Sequence, residues 1–173
     1  IVCPVPDTSR PSTIALSEAL TVPYREVFIK NRYVQRSFIL NSQESRERAV
    51  QSKLSPIISE IQGRDLLIVD DSIVRGTTSK NIVRMLRRCG AKSVVLGITC
   101  PPLRHPCFYG VDFPSNRELI ASNKTVAEIA EWIGVDHLVF LEPEDLTESI
   151  GNELCMGCIN GCYPTERRGY QEF

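Results

Sequence analysis

A chain of 173 residues is long enough for one domain with a sizeable core, or one domain plus an appendage. Apolar content of 42% and charged content of 24% suit a globular protein, and a formal net charge of -1 excludes a global basic field able to hold nucleic acid or an anionic membrane. With no apolar run long enough to span a bilayer and no signal peptide, a cytoplasmic setting with neither a nucleic-acid nor a membrane partner is expected.

The chain opens without Met at Ile1-Val2-Cys3-Pro4-Val5, which reads as a strand and suggests a fragment or excised domain. A loop over 6–10 leads to a short helix ending near Leu20, followed by a strand over 24–29. Asn41 with Glu44 three residues on predicts a capped helix running to about Leu54. The apolar run 66–69 predicts a buried parallel strand, and Ile82, Val83, Met85 and Leu86 a helix closed by Gly90. Residues 94–99 return as a strand. Ser115 with Glu118 and Thr125 with Glu128 both have capping-box spacing, the second opening a helix whose Val126, Ile129, Ala130 and Ile133 share a face before Gly134. A strand over 137–141 and a helix over 144–150 complete the pattern. Strands alternating with helices argue an α/β fold, a mainly parallel sheet flanked by helices with right-handed crossovers.

The densest chemistry lies at 66–79, where a buried strand runs into two adjacent acids and a glycine-containing turn. Ligands of parallel sheets bind at the carboxyl edge of the strands. Asp70 and Asp71 there suit vicinal ribose hydroxyls, directly or through Mg2+, which prefers oxygen ligands. The turn Arg75-Gly76-Thr77-Thr78-Ser79 offers backbone N–H groups and three hydroxyls to a phosphate, neutral apart from Arg75. A sugar-phosphate site is predicted. The loop Val5-Pro6-Asp7-Thr8-Ser9 falls where a doubly wound sheet places a second ligand loop. The segment 30–38 gathers Lys30, Arg32 and Arg36 with Tyr33 and Phe38 and lacks a clean period, so it reads as a loop able to clamp a pyrophosphate leaving group.

Seven cysteines in such a chain invite a metal reading over a disulfide framework, because the count is odd and no secretory signal is present. Cys155-Met156-Gly157-Cys158, with Cys162 and Cys107, has spacing that suits zinc or an iron-sulfur cluster. Cys3, Cys89 and Cys100 lie in or beside predicted core elements and read as packing residues.

The phrase Asp70-Asp71-Ser72-Ile73-Val74-Arg75-Gly76-Thr77-Thr78 resembles the phosphoribosylpyrophosphate (PRPP) signature of type I phosphoribosyltransferases in its amidophosphoribosyltransferase wording. His105-Pro106-Cys107-Phe108-Tyr109-Gly110 and Cys155-x-x-Cys158 with Tyr163-Pro164-Thr165-Glu166 are similar to the iron-sulfur subgroup of that family. The resemblance runs over nearly the whole chain. It implies a type I phosphoribosyltransferase fold over 1–150 and a cysteine-containing C-terminal tail over 151–173, with the family's N-terminal glutaminase domain absent. It implies PRPP binding by Asp70, Asp71, Ser72, Arg75, Gly76, Thr77, Thr78 and Ser79, and Mg2+ binding by Thr8, Asp70 and Asp71. Lys30, Arg32, Tyr33 and Arg36 become residues of a loop that closes over PRPP; Gln35 departs from the glycine of the family pattern. A [4Fe-4S] cluster is implied on Cys107, Cys155 and Cys158, its fourth ligand lying upstream of this chain, while Cys162 stands where the family has lysine. The implied reaction transfers phosphoribose from PRPP to ammonia from the missing glutaminase domain, giving phosphoribosylamine and pyrophosphate, the first committed step of purine synthesis, without a covalent nucleophile in this part of the protein. Purine nucleotides as feedback inhibitors and a homo-oligomeric assembly are further expectations. A nucleobase phosphoribosyltransferase would share the signature without the cysteine phrases, and a non-catalytic PRPP-sensing regulator would bring a nucleic-acid-binding extension or basic face.

Overall fold

The computed structural model describes residues 1–31, 53–111, 115–151 and 153–165. In chain order the elements are β1 (Val2–Pro4), α1 (Arg10–Leu20), β2 (Phe28–Lys30), β3 (Leu54–Pro56), α2 (Ile58–Ile61), β4 (Asp65–Asp70), α3 (Thr77–Arg88) and β5 (Ser93–Ile98). Two 3-10 turns (Asn116–Glu118 and Ile120–Ser122), α4 (Val126–Ile133), β6 (His137–Phe140), α5 (Pro143–Ile150) and α6 (Gly157–Asn160) follow.

The main sheet has the order β1-β4-β5-β6, parallel at every pairing. Near-continuous apolar sequence in β4 and β5 is what strands covered on both faces require. Val2, Cys3, Leu66, Ile68, Val94 and Leu96 are at most 1% exposed. Helix α3 lays Ile82, Val83 and Leu86 on this sheet and α4 adds Ile129 and Ile133, all buried. Each such aliphatic side chain contributes about 1.5–3 kcal/mol by leaving water.

On the other side of β1, Tyr24 bridges Val2 in parallel, so the chain leaves β1 in one direction and returns through β4 in the other. The order of strands therefore reverses between β1 and β4. The Val5 N–H donates to the Val69 carbonyl at 2.8 Å, which continues the β1–β4 pairing to the carboxyl edge and leaves the two following loops side by side.

The expected strand over 24–29 resolves into that single bridge at Tyr24 and the separate β2, which pairs antiparallel with β3 through Phe28↔Pro56 and Lys30↔Leu54. Val27 and Phe28 are buried while Ile29 is 61% exposed, so this small ribbon presents one face to solvent. The expected helix from Asn41 lies outside the described residues apart from its end, where Lys53 is helical and Leu54 opens β3, close to the expected boundary. Ser115 makes no side-chain cap: it precedes a 3-10 turn, and Glu118 is used elsewhere. The Thr125–Glu128 box is present in both directions, with the Glu128 N–H donating to Thr125 Oγ1 and the Thr125 N–H donating to Glu128. A second apolar cluster, Leu103, Leu119 and Ile159 with Val74, Cys100, Leu146, Met156 and Cys158 against it, joins the C-terminal segment to the loop after β4. No described helix is long and apolar enough to cross a membrane.

Candidate functional site

Asp70 ends β4 and is 8% exposed; Asp71 follows in the open. The Asp71 N–H donates to Asp70 Oδ1 at 3.0 Å, the Ser72 N–H donates to Asp71 Oδ1 at 2.7 Å, and Thr99 at the end of β5 donates its N–H to the Asp70 carbonyl at 3.1 Å. Burial, and then the neighbouring Asp71 charge, push the Asp70 carboxyl up to about 7. Among the described residues neither carboxylate takes part in an ion pair with a cationic side chain. Two adjacent oxygen donors with unrelieved negative charge fit a hard divalent cation.

The chain then turns through Val74 and Arg75 to Gly76, which caps α3 with φ 74° and no side-chain cap. The first-turn N–H groups of α3 thus point out of the helix without intrahelical acceptors, beside Thr77, the exposed Thr78 and the buried Ser79. A Cβ at Gly76 would lie 2.9 Å from Ile120 Cδ1 and 2.9 Å from Trp132 Cζ3, so only glycine lets the loop pass this wall in a left-handed conformation. The Lys80 ammonium sits 4.0 Å from the centre of the Trp132 ring. Arg75, expected beside a phosphate, instead has its guanidinium 2.8 Å from Glu118 Oε2.

Across the switch point lies the β1–α1 loop. Its Pro6–Asp7 peptide is cis. Ser9 Oγ donates to the Val5 carbonyl at 2.6 Å, and Thr8 is exposed. Asp7, given no separate role in the sequence reading, pairs with Arg10 at 2.6 Å and with Lys30 at 2.7 Å. Arg10 reaches on to Glu26 at 2.8 Å. These residues, with Phe28, Ile29 and Ile57, line an open cavity of about 300 Å3. The structure therefore brings Lys30 to the first loop; Arg32, Tyr33, Gln35 and Arg36 lie outside the described residues.

The cysteine phrases meet at the far side of the second apolar cluster. The Arg104 and His105 N–H groups donate to the Cys158 carbonyl at 2.9 and 3.0 Å, and the Tyr163 hydroxyl donates to the Pro106 carbonyl at 2.6 Å. Tyr163 also packs on Phe108, ring centres 5.0 Å apart. Residues 155–158 run into the one-turn α6, which begins at Gly157. Burial pushes the Cys158 thiol up, and Cys107 and Cys155 are close enough to push it further. The Tyr109 N–H donates to Cys107 Sγ at 3.4 Å. Among the described residues no three His, Cys, Asp or Glu side chains are gathered closely enough to hold a metal ion. Cys3 is fully buried and Cys89 and Cys100 pack against the core, as their sequence positions suggested.

No family model matches the chain. It is 52% identical to the amidophosphoribosyltransferase of Methanocaldococcus jannaschii over 167 residues, which cover 96% of this chain and 36% of that protein. It is 47% identical to the Bacillus subtilis amidophosphoribosyltransferase over 173 residues, again covering 36% of the relative. The solved structure of the B. subtilis glutamine PRPP amidotransferase complexed with ADP and GMP superposes on 95% of the chain and 38% of its own length, at 48% identity and a TM-score of 0.83. By sequence and fold the chain belongs with the amidophosphoribosyltransferases. The type I phosphoribosyltransferase architecture read from the PRPP signature is the one observed, a mainly parallel sheet between helices. The chain spans little more than a third of the length of these amidophosphoribosyltransferases. Glu118, Ile120 and Trp132, which shape the loop at Gly76, were not singled out as site residues in the sequence; Glu118 had a capping role there, and its true partner lies 43 residues away.

Proposed function

We propose that the protein carrying this chain transfers the phosphoribosyl group of PRPP to ammonia, forming phosphoribosylamine and pyrophosphate. The observation that carries this reading is the crevice between β1 and β4, where an acid pair and a glycine-capped helix start stand together at the reversal of strand order. Asp70 and Asp71 would accept hydrogen bonds from the ribose hydroxyls, with Thr8 contributing from the first loop. Ser72, Gly76, Thr77, Thr78 and Ser79 would bind the 5′-phosphate with backbone N–H groups and hydroxyls. Thr8, Asp70 and Asp71 would hold Mg2+, which would supply positive charge at the hydroxyls and at the departing pyrophosphate.

The bond from C1 of the ribose to the pyrophosphate oxygen breaks, a bond from C1 to the ammonia nitrogen forms, and the extra proton leaves to solvent. Charge grows on pyrophosphate and oxocarbenium character grows on the sugar, so catalysis consists of holding the reactants in line and neutralising the leaving group. Lys30, paired with Asp7 of the first loop, would take up that task by exchanging Asp7 for pyrophosphate; Arg32, Tyr33 and Arg36 would join it from the loop. The reading extends to a phosphoribosyltransferase domain over 1–150 with a tail over 151–173, cytoplasmic, homo-oligomeric and open to purine nucleotide inhibition. The B. subtilis neighbour was solved with ADP and GMP.

The donor chemistry of the tail would suit a [4Fe-4S] cluster on Cys107, Cys155 and Cys158 with a fourth ligand upstream: all three are soft thiols, Cys158 is pushed up by burial and then by the nearby Cys107 and Cys155, and Cys107 Sγ accepts a backbone N–H. Its role is structural, tying the tail to the 104–109 segment.

Pyrophosphate release from PRPP and Mg2+ by the full-length protein, measured with ammonia, glutamine, uracil or no acceptor, tests the reading. Turnover with ammonia and glutamine is expected. Turnover with uracil alone would make the protein a nucleobase phosphoribosyltransferase, and tight PRPP binding without turnover would make it a PRPP-sensing regulator.

A further inference from the structure

We infer that Arg75 and Glu118 form a latch that shapes the phosphate loop, and that Arg75 is a positioning residue and not a phosphate ligand. This rests on the PRPP reading of the site and assigns the arginine of the phosphate loop a different task. Three ties fix the outer wall of the loop between Asp71 and α3. The Ile120 N–H donates to the Val74 carbonyl at 2.9 Å. The Arg75 guanidinium meets Glu118 Oε2 at 2.8 Å. Gly76 lies against Ile120 and Trp132 with no room for a Cβ.

All three ties lead to the same side, the 3-10 turns and α4. A guanidinium committed to that wall is turned toward a carboxylate whose charge repels a phosphate, so a phosphate entering at the start of α3 meets neutral donors: N–H groups and the hydroxyls of Thr77, Thr78 and Ser79. Val74 belongs to the apolar cluster of Leu103, Leu119 and Ile159, so the wall is itself anchored in the core beneath the cysteine tail. Glu118 thus acts through Arg75 on the loop and touches no substrate.

The test measures PRPP affinity with Mg2+ present for the full-length protein and its Arg75→Gln, Glu118→Gln and doubly substituted forms, alongside amide exchange at Ile120 without ligand. Both side chains of the pair are about two-fifths exposed, so breaking it should raise the PRPP Kd by only about two- to fivefold. The double variant should be no worse than either single one, because both remove the same latch. Exchange at Ile120 should quicken in all three.

The charge-exchanged form, Arg75→Glu with Glu118→Arg, should return both Kd and exchange to near wild type, whereas Arg75→Glu alone should bind poorly. If Arg75 held the phosphate, Arg75→Gln would cost about tenfold or more while Glu118→Gln improved binding, and the exchanged pair could not recover. That pattern overturns the latch. Wild-type protein that binds no PRPP would refute the functional reading, and exchange at Ile120 would still decide the latch: unaltered exchange in both single variants refutes it.

Discussion

Replacing Gly76 by alanine separates backbone strain from wall contact at the centre of the candidate site. An L-residue held at φ 74° costs about 1–2 kcal/mol. The new methyl would stand 2.9 Å from both Ile120 Cδ1 and Trp132 Cζ3, and forcing such an overlap costs about 1–3 kcal/mol more. The sum, roughly 2–5 kcal/mol, corresponds to a fall in Tm of roughly 4–20 °C for a chain of this size. Gly63 supplies the control. It has φ 72° and nothing within 4 Å of the added Cβ, so Gly63→Ala should show the strain alone. Thermal melts of both variants, and of Gly76→Ala on a Trp132→Ala background where half the overlap is gone, read the difference directly. Gly76→Ala no more damaging than Gly63→Ala, or no recovery when Trp132 is cut back, would refute the packed wall behind the loop.

Asp70 makes stability depend on pH. Its folded carboxyl titrates at about 7 and its unfolded one near the ordinary value of 3.8, so the folded state holds the proton more tightly; stability is full below the unfolded value, falls as pH rises between the two, and stays low above about 7. Asp70→Asn should therefore leave urea stability unchanged at pH 3.5 and raise it by as much as about 4 kcal/mol at pH 8, while abolishing Mg2+-dependent PRPP binding. Equal wild-type and variant stability at pH 8 would remove the burial argument. Cys155→Ser or Cys158→Ser in the anaerobically purified full-length protein should lose iron and acid-labile sulfide together with thermal stability; stoichiometric zinc without sulfide in the wild type would sink the cluster assignment and leave the PRPP site standing. Thr125→Ala removes the side chain that caps α4, and a loss of about 1 kcal/mol, or roughly 2–4 °C in Tm, is expected by melting.

The parts legible in the sequence are those set by local chemistry. The run at 66–69 could be little but a buried strand, and Thr125, Glu128 and Gly134 bracket α4 with a capping box and a left-handed glycine. The acid pair and the glycine turn declared a sugar-phosphate site because their functional groups are adjacent in the chain. What stayed hidden depends on contacts across the fold. The ribbon of β2 and β3 has three-residue strands, too short for a period to emerge, and it diverts the chain that had looked like one strand from Tyr24 onward. Glu118 carried capping-box spacing after Ser115, but a 3-10 turn with an arginine in reach offered its carboxylate a charged partner instead of a helix N–H. Asp7 is polar in a polar loop; its tie to Arg10 is local, three residues on, but its tie to Lys30 exists only because β2 returns beside the first loop.

Calorimetric titration of PRPP into the full-length protein with Mg2+ present, comparing wild type with Asp71→Asn, tests the central claim most directly. Asp71 is exposed and, among the described residues, its carboxylate's partners are its neighbours in sequence, Ser72 and Asp70, so the variant should keep its fold and thermal stability. Saturable, Mg2+-dependent binding by wild type that is strongly weakened in Asp71→Asn is the predicted result; unchanged PRPP binding by the variant would contradict the assignment of this crevice.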